Sequence, residues 1–436
     1  MNTGYRAFVT LLTAAFVIFE HFQVAQVGDY PITLGLFLGI TLVIVVSTRV
    51  PIGNVIVALG IAVVPNALVQ IAAPSTREGS LSFFQTLALF VFAAVILSQC
   101  KRGTVRTEAV PAMLRGAFIA LIVVVGLCLL QVATGARGSV QWFNPFGEHQ
   151  YLYQYDPHLE FNPIPRAAGF YLEPSYAAFV IGSLAVALLA QGYRKLPVWV
   201  LAGAGLLAVR SATGLILFGV VALVVIFVGK SRLKLVALVV LVALTVIALP
   251  YLAGRLDSTF TPGSSAYYRL IGPLRILGDT LVHFPLGHPY GSLRNTVADY
   301  GILNGAAAGD SLDNGFYVIV FYFGWLGLIA SIALALWGFV ALGRGIHTGS
   351  IEQAAIPVWV VGSLLFSGGI MLPEYVFTLW VIFATRQQSR SLIPGESGSA
   401  LASEAVDNHR DVQGRGRVEA DRGFARGPAQ GVGPSL

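Results

Sequence analysis

The sequence predicts an all-α, polytopic integral membrane protein with eleven or twelve transmembrane helices. Three observations predict it. Of 436 residues, 56% are hydrophobic and only 11% are charged, whereas a soluble domain carries about 25% charged residues. The mean hydropathy is +0.75, and a soluble fold of this size would leave too much of that apolar side chain on its surface. Apolar runs recur at lengths near the roughly 20 residues that cross about 30 Å of hydrocarbon. A cytosolic enzyme, a nucleic-acid-binding protein and a disordered hub are therefore excluded. The two cysteines, Cys100 and Cys128, lie inside or at the edge of apolar runs and form neither a disulfide framework nor a cysteine metal site.

In chain order the expected spans are 7–27, 31–47, 52–73, 81–98, 111–133, 173–190, 196–210, 213–229, 235–252, 315–341, 354–371 and 373–385. Glu20 and His21 interrupt the end of the first run and no clean small-x-small site follows, so it is taken as a span rather than a signal peptide. The run at 196–210 barely suffices and 373–385 is short, hence eleven or twelve. Orientation follows from Lys and Arg placement. With both termini inside, all four lysines (Lys101, Lys195, Lys230 and Lys234) and most arginines fall on the inner side. The net charge of +6 is therefore no nucleic-acid signature, because the outer side carries more acids than arginines. Residues 134–172 and 253–314 form two long outer loops, where any chemistry is expected. Residues 1–385 read as the membrane domain, and 386–436, rich in Gly, Ser, Arg and acids, as a disordered inner tail.

In the first outer loop, Trp142, Phe143, Phe146, Tyr151, Tyr153 and Tyr155 are interleaved with Glu148, Asp156 and Glu160. That mixture fits either sugar contact or an interfacial aromatic belt. The loop ends in Arg166-Ala-Ala-Gly169-Phe-Tyr-Leu-Glu173-Pro174-Ser175-Tyr176. Pro174 and Glu173 suit the start of a helix. Arg166 is either a snorkelling anchor or an anion ligand whose fork fits phosphate oxygens. Arg210, in the turn Val209-Arg210-Ser211-Ala212-Thr213-Gly214, is costly unless it meets water, a carboxylate or an anion.

The second loop holds Arg269 and Arg275, whose spacing of six directs them to different sides of a helix, so at most one serves a given site. Pro285-x-Gly287-x-x-x-Gly291 brings backbone close to something, and His283 or His288 is either a base or a surface residue. His149, His158, His283 and His288 lack metal-ligand spacing, so neither metal nor cofactor is expected. Asp313 and Asn314 either cap the helix that follows or supply a carboxylate that orients or deprotonates a hydroxyl.

These motifs, in this order, carry a resemblance. R-x-x-G-x-x-x-E-P-S enters a helix, an S-x-T-G turn follows, an outer loop bears arginines and P-x-G, and D-N-G-F-Y precedes a span with Gly324-Trp325-Leu326-Gly327. Over most of residues 30–385 the chain resembles the Wzy-type polysaccharide polymerase and O-antigen ligase superfamily of bacterial inner membranes, and the RAAGFYLEPSY stretch looks closest to its exopolysaccharide-polymerase branch. The resemblance implies a GT-C-like membrane glycosyltransferase with two large periplasmic loops. Its implied substrate is an undecaprenyl-diphosphate-linked oligosaccharide within membrane lipid. A chain-length regulator and a flippase are the implied pathway partners. It assigns Arg166 and Arg269 to substrate binding, with Arg275 as fallback and Arg210, Tyr176 and Asn314 nearby. Asp313, Glu173 or His288 qualifies as the base by residue type. Asp313-Asn314 stands where the ligase branch carries a histidine before an asparagine, which favours polymerase over ligase. A transporter of the same lipid-linked sugar is the rival from another class. Arg166 and Arg269 are expected to converge on one outer cavity and share the diphosphate.

Overall fold

The computed structural model describes residues 3–27, 30–72, 80–100, 104–135, 166–171, 173–228, 231–257, 260–261, 265–300, 312–366 and 369–386. Residues 1–387 form one compact unit. The tail expected at 386–436 lies, apart from Arg386, outside the described residues.

Helix α1 (Thr3–Ile18) opens the chain. It is shorter than the span expected over 7–27. After Ile18 the apolar run meets Glu20 and His21, and the next residues pair as an antiparallel hairpin, β1 (Gln23–Val27) with β2 (Tyr30–Thr33). Thr33 then caps α2 (Leu34–Val46), its hydroxyl accepting from the Leu36 amide at 3.2 Å. This side-chain bond supplies one of the partners that a helix start lacks. The chain continues through α3 (Ile52–Ala72), α4 (Ser80–Ser98), α5 (Val110–Gly135), α6 (Pro174–Ala190), α7 (Lys195–Val209), α8 (Ala212–Val228) and α9 (Ser231–Asp257).

The segment expected as a long loop over 253–314 carries three short helices, α10 (Ser265–Leu270), α11 (Leu274–His283) and α12 (Leu293–Asp299). They are followed by α13 (Gly315–Thr348), α14 (Ile351–Phe366) and α15 (Pro373–Thr385). Each expected span contains one helix. Ile52–Ile71, Val110–Gly135 and Gly315–Thr348 are long and apolar enough to cross a membrane, and shorter apolar helices surround them. The protein is an all-α polytopic membrane protein.

Helix α6 is the axis of the bundle. It packs against α5, α7, α8, α14 and α15, and every residue from Tyr176 to Leu189 is buried. A helix apolar all round belongs inside a bundle rather than on its lipid face. One polar rung fixes its register: the Trp359 indole N–H donates to the Ser183 hydroxyl at 2.9 Å.

A second, smaller core surrounds a break in α13. Gly324 there has φ 53° and ψ −129°, outside helical space. Residues 284–288 enter the gap. The Trp325 amide donates to the Pro285 carbonyl at 3.0 Å and the His288 amide to the Phe321 carbonyl at 2.9 Å. Gly287 (φ 94°) lies against the Tyr322 carbonyl, so a Cβ on Gly287 or Gly324 would strike the other segment's backbone. Asn66 of α3 completes the repair, donating to the His288 carbonyl at 3.1 Å and accepting from the Tyr290 amide at 3.3 Å. Non-helical backbone survives at such a place only when protein satisfies its polar groups. The P-x-G-x-x-x-G stretch thus approaches α13 at Gly287 and α4 at Gly291.

Gly324→Ala should destabilise the purified protein by about 1–3 kcal/mol or more, the cost of holding a side chain in forbidden backbone space. Gly343→Ala, where a Cβ would meet nothing within 4 Å, should be neutral. Denaturant unfolding in detergent compares them, and equal midpoints would contradict the reading of the break.

Candidate functional site

The chemistry-bearing residues gather where α6, α10 and α13 begin or end. Three local devices put them there. The first is the R-A-A-G loop. Gln131 of α5 clamps Gly169, accepting from its amide at 2.9 Å and donating to its carbonyl at 3.1 Å. The Ala167 amide donates to the Ala208 carbonyl at 3.2 Å, and the Tyr171 hydroxyl donates to the Val17 carbonyl at 2.9 Å. Arg166 is thereby held in place with only 8% of its surface exposed.

The second device is the start of α13. Asn314 is its cap, accepting from the Phe316 and Tyr317 amides at 3.1 and 3.3 Å. Its amide group donates to the Arg269 carbonyl at 3.4 Å, and the Tyr317 hydroxyl donates to the Leu270 carbonyl at 2.9 Å. The D-N-G-F-Y stretch therefore fixes α10 as well as its own helix. Because Asn314 caps, Asp313 is left to do something else.

The third device is the start of α6. Glu173 stands at the cap position but its side chain makes no cap bond. Its Oε1 instead accepts from the Ser175 hydroxyl.

These devices converge on Arg269. Its Nη2 lies 3.0 Å from Glu173 Oε1, and its Nε lies 3.4 Å from Asp313 Oδ2. Arg166 stands within electrostatic reach of both Glu173 and Arg269. Burial disfavours the charge on Arg269, but Glu173 and Asp313 outweigh it and hold the guanidinium above its ordinary range. Burial lifts the Glu173 carboxyl above its usual value, with Arg269 pulling down and Asp313 pushing up. The Glu173 side chain stays 41% accessible. Beside Ser175 opens a cavity of about 20 Å³, lined also by Phe179, Thr213, Gly214, Trp359 and Ser363. It has room for about one water.

The remaining candidates separate. Arg210 ends α7 with φ 52° and ψ 39°, a left-handed conformation uncommon outside glycine, and has no ion-pair partner among the described residues. It stands two residues from Ala208, the carbonyl that anchors the Arg166 loop. Arg275 leaves the cluster and lies over the Tyr300 ring at 5.9 Å. It does so because it stands on α11 while Arg269 stands on α10, not because of a spacing of six on one helix. Tyr176 turns away from Arg269, its ring packing on His21 at 4.1 Å and on Phe179 at 5.7 Å.

His288, one of three candidate bases, is placed in the second core rather than at Arg269. Its ring stacks on Phe321 at 4.2 Å and its Nε2 lies 3.0 Å from the Thr280 hydroxyl. Burial lowers its pKa to about 4. The surface alternative does not hold for it, since only 6% of it is exposed. His283 is the exposed one, paired with Asp279 at 2.7 Å. The aromatic stretch Trp142–Tyr155 with Glu148, Asp156 and Glu160, as well as His149 and His158, lies outside the described residues. Among the described residues no group of three or more His, Cys, Asp or Glu is placed to hold a metal ion.

Sequence reasoning missed Ser175, which orients Glu173, and Gln131, which sets the Arg166 loop. Ser175 was visible in E-P-S as a hydroxyl two residues from the carboxylate. Gln131 had no signal beyond being polar late in an apolar run.

The fold is that of an all-α polytopic membrane protein, with Arg269 held between two carboxylates where α6, α10 and α13 begin or end, and comparison with known proteins supplies the family. The chain belongs to the WcaD colanic acid polymerase family, which matches residues 8–388. It is 27% identical over 411 residues, 89% of this chain and 98% of the relative, to a protein of Escherichia coli (strain K12) named "Putative colanic acid polymerase". The resemblance to Wzy-type polymerases is thereby upheld.

Because the His288 pKa falls from about 6.5 in the unfolded chain to about 4 in the fold, the unfolded state binds the extra proton between those values. Stability from this group is full above about pH 6.5 and is lost as pH falls through about 4. Thermal unfolding at pH 7 and pH 5 should show a larger acid loss for the native protein than for His288→Asn. Parallel losses would refute the assignment.

Proposed function

We propose that the protein polymerises an exopolysaccharide by joining oligosaccharide repeat units carried on undecaprenyl diphosphate, at the periplasmic face of a bacterial inner membrane. The observation that carries this reading is the convergence of Arg269 with Glu173 and Asp313, with Arg166 in electrostatic reach. Breaking the bond between an anomeric carbon and a diphosphate builds negative charge on the leaving oxygens. Fixed guanidinium groups stabilise that charge where water is scarce, without help from a metal. The acceptor hydroxyl gives its proton to a nearby carboxylate, and direct attack on the anomeric carbon inverts its configuration. The name of the Escherichia coli relative points to colanic-acid-like polymers as the product class.

The distribution of Lys and Arg supports cytoplasmic termini and a periplasmic site. In this reading residues 1–385 do the chemistry, 386–436 form a cytoplasmic tail, and a chain-length regulator and a flippase act in the same pathway. Transfer of finished polymer to an acceptor lipid, the ligase reaction, uses the same donor, but the Asp313-Asn314 pair lacks the histidine of that branch. A transporter reading draws on the broken α13, since broken helices line transporter sites. Here, however, the break is filled by backbone from residues 284–288, and the His288 ring beside it is packed on Phe321 and the Thr280 hydroxyl.

Purified protein in lipid nanodiscs, given a synthetic undecaprenyl-diphosphate oligosaccharide, should make products of two or more repeats and release undecaprenyl diphosphate. Movement of the substrate without elongation would establish the transporter instead. Arg166→Lys keeps the charge but loses the bidentate fork, so elongation should fall by an order of magnitude or more (roughly 1.4 kcal/mol per tenfold) at normal expression. Full elongation by this variant would remove Arg166 from the site.

A further inference from the structure

Among the described residues, the charges gathered around Arg269 cancel. Arg166 and Arg269 face Glu173 and Asp313, so two positive groups meet two negative ones. A diphosphate approaching such a cluster is repelled by the carboxylates about as strongly as it is drawn by the guanidiniums. It gains Arg269 only by replacing one of them.

Glu173 is the one built to leave. Its carboxylate is not spent on capping α6, 41% of its side chain remains accessible, and Ser175 offers its Oε1 a second donor that stays when Arg269 goes. Asp313 accepts from both Nε and Nη2 of Arg269, each at 3.4 Å, whereas Glu173 is held by Nη2 alone.

Resting on the donor reading above, we propose that the donor's diphosphate displaces Glu173 from Arg269 and that the released Glu173 is the general base for the acceptor hydroxyl, with Ser175 as its positioning residue. The step balances. The acceptor O–H proton passes to a Glu173 carboxylate oxygen, and the acceptor oxygen bonds to the anomeric carbon. The anomeric C–O bond to the diphosphate breaks, and the leaving diphosphate keeps the electron pair, its charge met by Arg269 and Arg166. Exchange also tunes the base. A carboxylate that loses a cation and gains an anionic neighbour binds protons more tightly, which suits general-base work near neutral pH.

The test uses the full-length protein in nanodiscs, with synthetic undecaprenyl diphosphate as calorimetric probe and the elongation assay as the second readout. Glu173→Gln should bind the probe about tenfold tighter than the native protein (roughly 1.4 kcal/mol) and should elongate nothing. Glu173→Asp should bind as the native protein does and elongate slowly. Ser175→Ala should leave probe binding unchanged while lowering kcat and moving the acid limb of its pH profile, which a merely structural role would not do. Melting temperatures close to the native value establish that these proteins are folded. If the native protein binds the probe and Glu173→Gln binds it no tighter, or still elongates, the exchange is overturned and the donor reading stands. If the native protein does not bind the probe at all, the donor reading itself fails.

Discussion

A backbone amide or carbonyl buried where water does not reach must find its partner within the protein. The arrangement of this chain depends on that constraint. Helix α13 breaks at Gly324, and the loop 284–288 closes the break with its own amides and carbonyls while Asn66 satisfies the loop. The aromatic residues Phe90, Tyr290, Tyr322 and Phe323 pack around the repair, with Phe90 and Tyr290 stacked at 5.0 Å. The first turns of α13, together with Asp313 and Asn314, are therefore referenced to three other segments rather than to one continuous helix.

From that reference the site is assembled by side chains that each serve two elements. Asn314 caps α13 and holds α10. Gln131 of α5 clamps the loop before α6, and the Ala208 carbonyl at the end of α7 fixes the residue after Arg166. The arginines are thus positioned by backbone contacts made before any ligand arrives. Charge-assisted bonds made by groups so held lose little to reordering. Neutralising carboxylates make such buried guanidiniums tolerable, since an unpaired charge there would be far costlier.

The spans are legible in the sequence because apolar runs near membrane length seldom occur outside a bilayer. The arginines are legible too, because a charge beside a membrane helix demands a reason. The segment 19–33 is deceptive, since the apolar run continues past the last turn of α1 into a turn and a strand hairpin, with only Glu20 and His21 to mark the change. Glu173 and Asp313 stay ambiguous because a helix start and an ion pair ask for the same residue types. Only the observed cap bonds of Asn314, and their absence at Glu173, separate the two uses. His288 is opaque for a different reason. Its burial depends on Phe321 and Thr280, one of them 33 positions away, and nothing local in Phe-Pro-Leu-Gly-His announces that packing.

Helix α6 and three of the helices packed on it are short. Helix α7 has 15 residues, α6 and α8 have 17 each, and α15 has 13. At about 1.5 Å per residue they reach roughly 20–26 Å, less than the 30 Å of an ordinary hydrocarbon layer. Hydrophobic mismatch of this sign is relieved by local thinning of the bilayer. In the proposed reading, thinning beside these helices would lower the headgroup plane toward Arg166 and Arg269, so a lipid-linked phosphate would have less far to rise.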